Sequence, residues 1–234
     1  MVSIFSKKLA VASLVTFVSI APLQAQTESD PWEGFNRAMF SFNETIDRAA
    51  IKPLAQGYKF VTPELAQTGV SNFFDNLKGM RNFANNLLQG KVHNAFEDVA
   101  RFTFNTTFGL VGLIDVATPM GIAKHDEDFG QTLGYWGMPS GPYVVLPFMG
   151  PSSVRDTVGM VPDWYLNPIV YIDDRATRNS LQALRLIDTR ARLLEAERMI
   201  SGDRYSFIRD SYLQRREFLV RDGDVRVSFD ETDF

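Results

Sequence analysis

Along the chain, apolar residues fall into helical stripes on either side of a central stretch that follows no period. The first stripe, Phe35, Met39, Phe42, Ile46 and Ala50, advances by four, three, four and four residues and predicts an amphipathic helix from Trp32 to Ala50. Asp30-Pro31-Trp32-Glu33 has the chemistry of its start, with Asp30 as N-cap, Pro31 at the first helical position and Glu33 placed to close a capping box. Pro53 is expected to end it. A second helix starts at Thr62-Pro63, carries Leu65, Gly69, Val70, Phe73 and Leu77 on one face and stops at Lys78-Gly79. Met80 to Gln89, closed by Gly90, and roughly Asn94 to Thr107 follow as third and fourth helices.

Past Phe108 the pattern breaks. Phe108 to Ile122 is nearly all apolar, yet Gly109, Gly112, Asp115, Pro119 and Gly121 interrupt it, so it cannot be a conventional transmembrane helix. Phe129 to Pro151 sets five glycines and four prolines among Phe129, Tyr135, Trp136, Tyr143, Val144, Val145, Leu146 and Phe148. Neither a long helix nor a regular central strand persists through such a sequence, and so apolar a loop must bury itself in protein or in lipid. Two readings stand side by side: a core-spanning connection whose glycines allow close packing, and a hinged amphipathic hairpin facing a membrane. Val158 to Ile172 reads as another aromatic-rich irregular stretch. From Ala176 to Ile200 the stripe returns, with Leu181, Leu184, Ile187, Ala191 and Leu194 surrounded by charged residues, and a last helix runs from about Arg204 to Val220.

The termini and the charge narrow the picture. Lys7 and Lys8 precede the uncharged run Leu9 to Leu23, so residues 1–25 read as a signal peptide cut before Gln26. Leu23-Gln24-Ala25 is the front half of a lipobox, but Gln26 stands where an acylated Cys would, which predicts an exported chain without a lipid anchor. Residues 26–222 form one unit, and residues 223–234 an acidic, mobile tail. Of 24 basic and 28 acidic residues, two lysines fall in residues 1–25, leaving 22 against 28 and a net charge of −6 that argues against a nucleic-acid partner. With no Cys, disulfides, thiol catalysis and thiolate metal sites are excluded.

Candidate catalytic chemistry is thin. There is no G-x-S-x-G elbow and no P-loop, and neither histidine, His93 or His125, lies in a zinc motif. Lys124 to Asp128, KHDED, places His125 beside three carboxylates, but adjacent residues do not converge on one ion, and a solvated turn accounts for the cluster. Acid pairs such as Asp126 with Asp128 read as caps or turns. No enzyme, cofactor or metal is expected.

D-P-W-E-G-F-N-R-A-M-F-S-F-N from Asp30, F-x-x-N-x-x-x-G-L-x-G-x-I-D-V-A from Phe102, F-G-Q-T-L-G-Y-W-G from Phe129, G-P-Y-V-V-L-P-F from Gly141 and Y-x-x-x-R-x-x-Y-x-Q-R from Tyr205 resemble the MlaA (VacJ) family, in order and over nearly the whole mature chain. The resemblance implies an all-α, ring-shaped protein in the inner leaflet of the outer membrane, beside a trimeric porin. Such a protein removes misplaced phospholipid from the outer leaflet through an amphipathic channel and passes it to a soluble periplasmic carrier. It further implies a channel-lining hairpin with Gly134, Gly137 and Gly141 as hinges and Tyr135, Tyr143, Val145 and Leu146 as wall residues. Phe35, Met39 and Phe42 are the expected membrane face. Two other functions remain open: a porin-associated structural protein without transport, and a periplasmic lipid hydrolase.

Overall fold

The computed structural model describes residues 30–224; the expected signal peptide and residues 225–234 of the expected tail lie outside the described residues. Pro53 does not stop the first helix. Helix α1 (Glu33–Ile46) passes into a π-helical turn, Asp47–Ile51, and on into α2 (Lys52–Val61), where Pro53 occupies the first turn. The wider turn takes in Ala49, four residues before Pro53, whose carbonyl would clash with the proline ring in a regular α-helix; the chain therefore runs on as one rod.

The expected cap at Asp30 is also corrected. Trp32 stands at the cap position with no side-chain bond, and Glu33 pairs with Arg37 at 2.7 Å instead of closing a capping box. Asp30 is buried and accepts hydrogen bonds from Asn36 Nδ2 at 2.7 Å and from the Tyr205 hydroxyl. A buried carboxylate with donors from two other places is better satisfied there than at a helix end.

Helices α3 (Glu64–Leu77), α4 (Gly79–Leu88) and α5 (Val92–Thr107) follow with short connections. The stretch after α5 is a chain of turns, as its glycines predict, and Leu110, Val111 and Gly112 all have positive φ. The central segment resolves into a short helix α6 (Phe129–Tyr135), a glycine-containing connection and an antiparallel hairpin, β1 (Tyr143–Leu146) with β2 (Gly150–Ser153), registered Tyr143 opposite Ser153 and Leu146 opposite Gly150. The fold is thus mostly helical, with this one small sheet among the described residues.

Val158 to Ile172, expected to be irregular, is mostly helix. Ser153 accepts from the Asp156 amide at 3.2 Å and starts α7 (Val154–Tyr165), and only Pro168–Tyr171 is a 3₁₀ turn. Gly159, which reads as a breaker, is there for contact: a Cβ on it would come within 2.5 Å of the Gly130 nitrogen, so its absence lets α7 cross α6 backbone to backbone. Helix α8 (Arg175–Glu197), capped by Asp174, and α9 (Arg204–Val220), capped by Asp203, complete the chain.

The packing is inverted. Buried apolar side chains are few and scattered, with Tyr143, Val145 and Tyr205 forming one small cluster, whereas Asn36, Asn82, Asn85, Asn86, Asp98 and Asp188 are among the many polar residues inside. Large apolar side chains lie outside: Phe60 is 90% exposed, Leu65 85% and Phe96 70%.

Candidate functional site

The polar interior is built first on α4. Asn82, Asn85, Asn86 and Gln89 recur at helical spacing and turn one amide-bearing stripe inward. Asn82 donates to the His125 carbonyl at 2.6 Å and accepts from the Glu127 amide at 3.2 Å. Asn85 donates to Asp163 at 3.2 Å and accepts from the Thr132 hydroxyl at 2.8 Å; Asn86 donates to Asp98 at 2.7 Å, and Gln89 to Glu127 at 2.9 Å. Each contact satisfies a buried polar atom, so the network locks α4, α5 and the 125–132 segment into one body.

The acidic turn, which its sequence suggests is solvated, is therefore so at Lys124 and Asp126 but not throughout. Glu127 is buried, with its carboxyl pushed up by burial; Asp128 caps α6 through the Gln131 amide at 2.8 Å and binds Arg216 at 2.5 Å. Burial would raise the Asp128 carboxyl too, but Arg216 outweighs it and brings it down to about 2. His125 lies between Glu97, at 3.5 Å, and Asp98, at 3.1 Å. Among the described residues no cluster of His, Asp and Glu has the arrangement of a metal site.

Beside this network opens a cavity of about 400 Å³, lined by Asn72, Asn76, Asn105, Arg101 and Asp115 from one side and by Thr189 and Arg192 of α8 from the other. A second cavity of about 360 Å³ shares Lys78, Asp126, Thr189, Arg192 and Arg215 with it, so the two form one polar passage. Arg81, Arg185 and Arg216 add to the cations of the second part. The passage offers hydrogen-bond donors and positive charge, with no nucleophile positioned by a base.

The residues expected to act are distributed differently. Gly137 and Gly141, with φ of 93° and 68°, lie in the connection between α6 and β1, a backbone geometry that favours glycine. Gly134 is inside α6, where a Cβ would meet Arg155 Nη1 at 2.7 Å and Val220 Cγ1 at 2.8 Å. Tyr143 and Val145 are buried against Tyr205, Leu146 is half-buried, and Tyr135 is exposed with the Lys91 ammonium 5.4 Å above its ring. None of these four lines the polar passage. Phe35 and Phe42 are exposed on α1, while Met39 packs inward on the Tyr143 cluster. Sequence reasoning passed over the α4 amide stripe and the cations Lys78, Arg185, Arg192 and Arg215. The stripe's three- and four-residue spacing was a readable signal; the cations were not distinguishable from a solvated helix face.

The described residues thus form a helical body with large apolar side chains outside and a charged, amide-lined passage within. Among the described residues no helix is long and apolar enough to cross a membrane. The chain belongs to the MlaA family: the family model described as MlaA lipoprotein matches residues 28–219. It is 35% identical over 207 residues to the intermembrane phospholipid transport system lipoprotein MlaA of Escherichia coli, covering 86% of this chain and 82% of that protein. The protein of the same name from Haemophilus influenzae is 32% identical, covering 86% of this chain and 83% of the other. A solved structure described as the structural basis for maintenance of bacterial outer membrane lipid asymmetry superposes with a TM-score of 0.73 at 35% identity, covering 82% of this chain and 99% of the other.

Proposed function

We propose that this protein removes phospholipid from the outer leaflet of the outer membrane and returns it toward the inner membrane, keeping the two leaflets different. The observation that carries this reading is the inverted packing: Phe60, Leu65 and Phe96 outside, Asn85, Asp98 and Arg101 inside. The family's transport names and the superposition support it. Transfer of two ~16-carbon acyl chains through water would cost about 25 kcal/mol at ~0.8 kcal/mol per CH₂, so useful transfer needs a sheltered path. Headgroups use the polar passage while tails follow the apolar exterior.

The finer parts of the reading are these. The helices form a ring lying in the inner leaflet, since α8 is long but laced with charge and suits an interface more than a bilayer core. Attachment relies on exposed apolar faces and on a trimeric porin. A soluble periplasmic carrier receives the lipid. No step calls for catalysis.

The test is deletion of the gene, with outer-leaflet phospholipid measured by a membrane-impermeant amine label. Accumulation reversed by the intact protein is expected. A purely structural porin partner would leave the labelling unchanged on deletion, and a hydrolase would release fatty acid from phospholipid in purified form; either result overturns the transport reading.

A further inference from the structure

Six cations line the second part of the passage: Lys78, Arg81, Arg185, Arg192, Arg215 and Arg216. Five of them have carboxylates in reach. Lys78 pairs with Asp75 at 2.8 Å, Arg81 with Asp126 at 2.9 Å and Arg192 with Asp188 at 3.4 Å. Arg215 stands 3.9 Å from the same Asp126, and Arg216 binds Asp128 at 2.5 Å and Asp156 at 2.9 Å. Arg185 makes no hydrogen bond or ion pair with the described residues, and Asp75 and Asp126 act on it only at a distance. The account is six cations to five carboxylates, and two of the five, Asp75 and Asp156, are further shared with Lys124 and Arg155. This half-buried guanidinium on the cavity wall, without an anion, keeps its donors open to whatever enters the cavity.

We infer that Arg185 is the recognition point for one phosphate group inside the passage, with Arg81 and Arg192 flanking it, and that this phosphate belongs to a phospholipid headgroup. The inference rests on the transport reading for the source of the phosphate, not for the site. One phosphodiester carries the negative charge that Arg185 lacks, and the planar fork of a guanidinium suits two of its oxygens. Arg81 contributes through charge: its Nε is a buried donor with no partner, so a ligand oxygen in the passage has a second donor to meet. Burial and the nearby Arg81 hold the Arg185 guanidinium below its ordinary range, as expected of a cation awaiting its anion. Each other cation of the cavity already has a carboxylate within 3.9 Å, which leaves Arg185 the one among them free to exchange one headgroup for the next.

The experiment uses the full chain in nanodiscs and three soluble probes: dihexanoylphosphatidylglycerol, dihexanoylglycerol with the same tails and no phosphate, and inorganic phosphate. Arg185→Gln should weaken dihexanoylphosphatidylglycerol about tenfold, the scale of a charge-assisted hydrogen bond, and leave dihexanoylglycerol unchanged. Arg185→Lys should recover most of the loss. Equal phosphatidylglycerol affinity for the intact protein and a folded Arg185→Gln variant overturns the proposal. Where that variant does not fold, the intact protein decides, since the two lipid probes must then differ about tenfold and equal affinities overturn it. Arg185-dependent binding of inorganic phosphate without phospholipid would overturn the headgroup assignment in favour of free phosphate. Failure of the transport reading is separately visible as unchanged outer-leaflet labelling on gene deletion.

Discussion

Asn36 grips the backbone of Val145 across 109 residues of sequence: its Oδ1 accepts from the Val145 amide at 2.8 Å while its Nδ2 donates to the Tyr143 carbonyl at 3.0 Å. Seven residues on, Asn43 repeats the gesture, accepting from the Phe148 amide at 2.8 Å and donating to the Leu146 carbonyl at 2.9 Å. Asn36 thereby bonds the edge of β1 that β2 leaves open, Asn43 holds the strand's end and the turn after it, and two positions of α1 fasten the hairpin to the helix. Any flexing of the central segment is then expected outside residues 143–148.

Asn36→Ala should remove this fastening and leave a buried amide and carbonyl unpaired. Each such group costs about 1–3 kcal/mol, so a loss of about 2–4 kcal/mol in unfolding free energy is expected. Hydrogen exchange at the Val145 amide checks the mechanism: it should accelerate far more than exchange in α8. Unchanged protection of Val145 would mean the hairpin holds itself.

The glycines separate into two kinds with different outcomes. At Gly159 an added Cβ meets the Gly130 backbone at 2.5 Å, so Gly159→Ala must push α7 from α6 and should cost about 1–3 kcal/mol, read by thermal melting. At Gly137 nothing lies within 4 Å, and the positive φ alone should make Gly137→Ala cost about 1 kcal/mol. If Gly137 is a hinge, that variant folds yet lets phospholipid accumulate in the outer leaflet. Normal labelling would assign it to turn geometry alone.

The helices with clear periods, α1, α3, α5 and α8, were legible because a three-to-four spacing gathers apolar residues on one face, and α9 was read from Tyr205, Ile208, Tyr212 and Leu219 despite its weak stripe. Helix α7 was not, since Gly159 and Pro162 look like breakers, yet α6 receives the first by close backbone contact and the helix runs through the second to Tyr165. Asp30 was misread for a related reason: its local sequence has the chemistry of a cap, but Tyr205, 175 residues away, claims the carboxylate. The polar passage was hidden by a direction. Periodicity tells which residues share a face and not whether that face meets protein or lipid, so Leu65 and Phe96 read equally well as core.

Asp128 gives a pH signature. Its folded carboxyl, brought down to about 2 from the ordinary 3.8 by Arg216 against the cost of burial, contributes stability above the ordinary value that is lost as pH falls through about 2. The contribution is about 2 kcal/mol at neutral pH. Asp128→Asn keeps a side chain that caps α6 well, so it isolates the charge. In urea titrations the variant should be less stable by that amount at pH 7, and the gap should close toward pH 2. A gap independent of pH would assign the effect to packing.

The exposed face of α1 separates lipid contact from core. Phe35 and Phe42 point outward and Phe42 meets Phe148 edge-on at 5.4 Å, whereas Met39, on the same stripe, packs against Tyr143 and Tyr205. Asp in place of Met39 puts a charge into the protein interior and should unfold the chain or lower its melting temperature strongly. Asp at both Phe35 and Phe42 should leave the fold intact and weaken membrane binding, because an acid at hydrocarbon depth costs up to about 3 kcal/mol. Flotation with vesicles, after circular dichroism confirms helix content, reads the result. A folded double variant that floats as well as the intact protein would place this face against water or a protein partner, and would move the membrane contact to Phe60, Leu65 and Phe96, where the same substitutions should then release it.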